Sequence, residues 1–134
     1  VYAVDPAMFG AFSPASALDQ GQRLETAVFN ALRRRTPAVR VGSVCRLLIK
    51  EKSKNHEVDF VAGDALLMRA YSLIQVSVDM ASEKTREREI AALDASMAQF
   101  DLGESAIVTM DEQADIPCEH GVVHVVPAWK WLLA

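Results

Sequence analysis

Two strand-like stretches, AYSLIQVSVDM (70–80) and SAIVTMD (105–111), are separated by EKTREREIAALDASMAQF (83–100), and this limits the possible folds more than any other feature of the chain. The middle stretch carries Ile90, Leu93, Met97 and Phe100 at helical spacing, with Ser82 placed to cap its start and Gly103 to end it. Strands joined through a helix of that length can lie side by side in parallel, which a tight turn does not permit. Upstream, DQGQRLETAVFNALRRR (19–35) has helical periodicity and stops before Thr36 and Pro37. SVCRLLIKEK (43–52) and HEVDFVAG (56–63) read as strands joined by a hairpin turn through SKN. Downstream, GVVHVV (121–126) reads as a last strand, Pro127 opens a short helix with Trp129 and Trp131, and VYAVD (1–5) reads as a short additional strand. The predicted order of helix, three strands, helix, strand is an α/β fold with a mixed central sheet flanked by helices.

At 134 residues the chain is expected to form a single domain, 1–134. No apolar run approaches the roughly 20 residues of a membrane helix, so no membrane is expected among its partners. Two cysteines, Cys45 and Cys118, are too few for a disulfide scaffold and suit a reducing cytoplasm, with Cys45 expected as a buried thiol. Because Val1 and Tyr2 lead straight into a strand-like stretch, the chain is read as having no signal peptide and as one domain of a longer polypeptide.

The net charge of −4 argues against a general nucleic-acid binder, but the charge is unevenly spread. Residues 23–54 hold nine of the fourteen basic residues and only Glu25 and Glu51 as acids, a net of +7 against −11 elsewhere. Two readings are open. The arginines 33–35 complement a helix C-terminus, or Arg33 and Arg34 share a phosphate-binding surface with Lys50, Lys52 and Lys54.

The first helix contains an anomaly. Counted at about 100° per residue from Leu24, its apolar residues fill one arc, Glu25 falls inside that arc, and Thr26 falls outside it. A carboxylate there must meet a cation, a metal, a donor or water, because leaving it buried and unpaired costs several kcal/mol, on the order of the ion-burial penalty. On the strands, period two puts Glu57, Asp59 and Val61 on one face and Val58, Phe60 and Ala62 on the other. Next door, Gln75 and Ser77 alternate with Val76 and Val78, so Glu25, Asp59 and Gln75 are expected to converge, with Glu25 about one side chain from Asp59.

An acid on the first helix, an acid on the second core strand and a polar pair on the third resemble the PD-(D/E)XK, restriction-endonuclease-like pattern. More closely, GQRLETAVFNALRRR, EVDFV, IQVSVDM, EKTREREI and VVPAWKWLL resemble the uncharacterised C-terminal domain that follows the ATPase module in a large family of predicted bacterial and archaeal AAA+ ATPases. The likeness covers nearly the whole chain. It implies an αβββαβ nuclease-like core, an ATPase module outside this chain as one partner, and ATP bound only there. No G-x-x-x-x-G-K-[ST] occurs in the sequence. By the same resemblance Glu25 and Asp59 match the metal-holding acids for Mg²⁺ or Mn²⁺, while Gln75 stands in place of the second strand acid and Ser77 in place of the lysine. An amide brings no charge and a serine is never a cation, and losing one such electrostatic group typically costs ~10²–10³ in rate. The expected function is therefore a non-catalytic interaction module that holds a protein or, weakly, nucleic acid. The alternative is a metal-dependent nuclease with a rearranged centre, its lysine supplied by Lys50, Lys52 or Lys54.

Smaller signals remain. Cys118, His120 and His124 would share a strand face at a spacing that invites zinc, although Gly121 marks a hairpin. The two tryptophans either stack bases or dock the terminal helix. EKTRERE reads as a solvated, ion-paired face.

Overall fold

The structure is a computed structural model that describes residues 2, 4–5, 18–35, 44–51, 54–64, 67 and 69–134. Its first helix, α1 (Leu18–Arg35), is followed by strands β1 (Val44–Glu51), β2 (Lys54–Asp64) and β3 (Arg69–Val76). Helix α2 (Glu83–Phe100) leads to β4 (Glu104–Thr109), β5 (Ala114–Pro117), β6 (Val122–Pro127) and a short α3 (Ala128–Leu133). The strands form one mixed sheet in the order β1-β2-β3-β4-β6-β5. Strands β1, β2 and β3 pair antiparallel, β3 with β4 and β4 with β6 parallel, and β5 with β6 antiparallel. The parallel β3–β4 pair, joined through α2, is the crossover expected from the sequence.

Helices cover both faces. On one, Leu93 and Met97 of α2 pack on Val58, Leu73, Ile107 and Val123; on the other, Leu24, Val28 and Leu32 of α1 and Ala128 of α3 pack on Phe60, Ile74 and Val108. Thr26 is fully buried, against the expectation from the helical arc, because its hydroxyl is satisfied by the Gln22 carbonyl at 2.7 Å and its methyl can then be covered. Helix α2 starts where Ser82 accepts from the Thr85 N–H. Its left-handed terminator is Asp101 (φ 55°) rather than Gly103, with Leu102 N–H reaching back to the Met97 carbonyl at 3.0 Å.

Other differences from the sequence reading have local causes. VYAVD forms no strand among the described residues: Val4 and Asp5 bend, and Tyr2 is held by its ring, stacked on Phe29 at 4.2 Å between centroids. Lys54 and Asn55 of the expected SKN turn belong instead to β2, and residues 52–53 lie outside the described residues. Strand β3 stops at Val76, because the Ser77 hydroxyl folds back onto the Asp79 carbonyl at 2.7 Å. Strand β5 has no alternating apolar pattern and was not expected; it is a four-residue edge strand, mostly exposed. Cys45 is exposed on the edge strand β1 rather than buried.

One irregularity reshapes the region of interest. Cys45 pairs with Val61 and Leu47 with Val58, so Arg46 alone stands opposite two residues, Asp59 and Phe60. This bulge breaks the expected alternation. Val58 joins the core under α2 and Phe60 the core under α1, whereas strict period two would have put both on one face.

Candidate functional site

Strands β2 and β3 separate at Asp59. Their backbone ladder begins at Phe60–Ile74, and just beyond it side chains take over the pairing. Oδ2 of Asp59 accepts from the Val76 N–H at 2.9 Å, and Oε1 of Gln75 accepts from the Asp59 N–H at 3.0 Å. A buried amide left unpaired costs about 1–3 kcal/mol, so these two side chains hold the sheet together where its own ladder ends.

Around that junction four carboxylates and two guanidiniums line a cleft of about 450 Å³. Arg46 reaches Glu25 at 2.9 Å and Glu57 at 3.0 Å, and the nitrogen facing Glu25 also lies 3.8 Å from Asp59. The Tyr2 hydroxyl donates to the same Glu25 oxygen at 2.6 Å. Burial pushes that hydroxyl up to about 12, and its hydrogen bond to Glu25 adds to the effect. From the other face, α2 contributes Glu89, 5% exposed, which accepts from Gln75 Nε2 through one oxygen and from Arg88 at 2.6 Å through the other. Gln75 is thereby used at both ends, its carbonyl by a backbone amide and its amide by a carboxylate.

Burial pushes the Asp59 carboxyl up to about 6; the Val76 N–H and Arg46 pull against it, and the charges of Glu25 and Glu89 reinforce it. Counting formal charges only, four acids and two guanidiniums give the cleft a charge of −2. Such a cleft repels phosphate. It can hold a metal ion through Glu25 and Asp59 only if Arg46 moves, because its guanidinium lies between them, 2.9 Å from Glu25 and 3.8 Å from Asp59.

The expected convergence of Glu25, Asp59 and Gln75 is found, with Arg46 between Glu25 and Asp59. Ser77 is not brought in: it is not part of the cleft lining, and its hydroxyl is bonded to Asp79. Arg33 and Arg34 are exposed at the far end of α1, about 12 Å along the axis from Glu25 at 1.5 Å per residue. Lys52 lies outside the described residues, as do the side chains of Lys50 and Lys54.

Sequence reasoning missed Tyr2, Arg46, Arg88 and Glu89. A signal for Glu89 was present, since it lies four residues before Leu93 and eight before Met97 and so extends the apolar stripe of α2 by a turn. EKTRERE is accordingly exposed except at Thr85, which is half-buried, and at its last residue, Glu89, which is buried. The proposed zinc set is separated: His120 pairs with Asp94 on α2 at 3.1 Å, His124 with Asp115 on β5 at 2.7 Å, and the Cys118 thiol with the Ile116 carbonyl. Trp131 packs against the core with Arg35 stacked 4.4 Å over its ring, whereas Trp129 is exposed.

Compared with known proteins, the chain matches no family model, no curated protein and no solved structure. Among the described residues no helix is long and apolar enough to cross a membrane.

Proposed function

We propose that this chain is a non-catalytic, nuclease-like interaction module, carried at the C-terminal end of an AAA+ ATPase and acting with that ATPase in the cytoplasm. One observation carries the non-catalytic part. Asp59 and Gln75, at the positions where a nuclease would hold its metal, are committed to the backbone amides of Val76 and Asp59, and Arg46 occupies the space between the acids. A hydrolytic centre needs carboxylates open to Mg²⁺ and a cation left over to stabilise the developing phosphorane. In this cleft both cations are ion-paired to its own acids. The link to an ATPase rests on the sequence likeness from GQRLETAVFNALRRR to VVPAWKWLL, and the αβββαβ order of the first six elements among the described residues is compatible with a nuclease-like core.

Glu89 favours the second reading, a metal-dependent nuclease with a rearranged centre. It adds a buried carboxylate beside Gln75 that the strand pattern lacks. An assay for Mg²⁺- or Mn²⁺-dependent cleavage of single- and double-stranded DNA separates the two. The expected result is no turnover above that of a mock purification. Turnover that is abolished in both Asp59→Asn and Glu89→Gln, with each variant folded, would establish the second reading instead.

A further inference from the structure

The β5–β6 hairpin brings a second group of ligating side chains together, outside the lining of the acidic cleft. Asp94, two-thirds of the way along α2, meets Glu119 and His120 of the turn, and one ligand atom from each lies within 4.8 Å of the others. We propose that Asp94, Glu119 and His120 form a binding site for a divalent transition-metal ion of the zinc class. The site rests on different residues from the reading of the cleft and stands whether or not that reading holds.

The distances suit such an ion. Nδ1 of His120 is 3.1 Å from Oδ2 of Asp94, and two ligands bound at about 2.0–2.2 Å around one centre stand about 3.0–3.5 Å apart for angles between octahedral and tetrahedral. The other Asp94 oxygen accepts from the His120 backbone N–H at 2.9 Å. That bond fixes the carboxylate so that its free oxygen faces the imidazole, the outer-sphere support that metal ligands commonly have. Coordination through Nδ1 requires the neutral ring with its proton on Nε2.

Ligand chemistry then selects the ion. An imidazole with two carboxylates suits zinc, nickel or manganese, whereas calcium and magnesium favour all-oxygen sites. The Cys118 thiol is directed to the Ile116 carbonyl at 3.5 Å and is left out, so water completes the coordination. Both His120 and Glu119 are exposed, which gives the ion an open path.

Titration calorimetry of the 134-residue chain with Zn²⁺, and separately with Ni²⁺, tests the site. The expected result is about one equivalent bound, weakened at least ~10-fold in His120→Ala and in Glu119→Gln, and unchanged in Asp59→Asn and Glu89→Gln. Melting temperatures without metal show whether each variant is folded, and in the wild type Zn²⁺ should raise the melting temperature through linkage. Absence of stoichiometric binding would overturn the proposal. So would binding that His120→Ala leaves intact, or binding lost in the two cleft variants instead.

Discussion

Asp59 bears a cost and a duty in the same side chain. An unfolded aspartate titrates near 3.9 by the usual reference, and the folded one at about 6. Ionising it therefore works against the native state: the stabilisation from the protonated form is complete below about pH 4 and is lost as pH rises through 6. The cost at neutral pH is at most about 3 kcal/mol at 1.36 kcal/mol per unit. Asp59→Asn removes the titration yet keeps an oxygen for the Val76 N–H, so its stability relative to wild type should improve between pH 4.5 and 7.5. Asp59→Ala removes the acceptor too and should be less stable than Asp59→Asn by about 1–3 kcal/mol at both pH values. Urea denaturation measures all three proteins. Equal stability of the Asn and Ala variants would mean that Oδ2 does not support the sheet.

At the scale of elements, the hairpin between β5 and β6 depends on a close approach. A Cβ on Gly121 would lie 2.2 Å from the Gly103 carbonyl oxygen, which accepts the Val122 N–H at 3.0 Å. Gly121→Ala must displace backbone and should lower the melting temperature by several degrees, corresponding to about 1–3 kcal/mol for overpacking. Ser82→Ala should cost only about 0.5–1 kcal/mol, since the capping bond is long at 3.4 Å. A thermal scan that ranks these two variants the other way would contradict the packing argument. What the sequence revealed at this scale follows the same logic. The span of α2 and its Ser82 cap were readable because the 3.6-residue stripe and the cap residue are local signals. Strand β5 and the bulge at Arg46 were not, since one is set by pairing at an edge and the other by register across a hairpin. Glu25, Asp59 and Gln75 could be found because each interrupts or alternates with an apolar pattern. Arg46 and Tyr2 reach them only through tertiary contacts that no periodicity records.

At the scale of the whole molecule, charge separates the two ends of α1. Glu25 belongs to the acidic cleft, whereas Arg33 and Arg34 end the helix in solvent. Any nucleic acid held by the arginines is therefore kept from the cleft by distance and by repulsion. Binding should be non-specific, micromolar or weaker, with a log-log salt slope near −0.9 for each phosphate neutralised. Arg33→Glu with Arg34→Glu should remove it while leaving the melting temperature nearly unchanged, because exposed charges contribute little to stability. Anisotropy titrations on a labelled duplex over a range of salt would show this, and salt-independent binding would exclude it. The junction of β2 and β3 also bears on any attempt to turn this chain into a cutting enzyme. Gln75→Glu would still receive the Asp59 N–H, but it would lose the amide that meets Glu89 and set two carboxylates against each other. Ser77→Lys would extend from a residue beyond the end of β3 that does not line the cleft. Restoring the nuclease pattern in the sequence would thus loosen the scaffold before it supplied a working centre, and a designer would have to rebuild the strand pairing first.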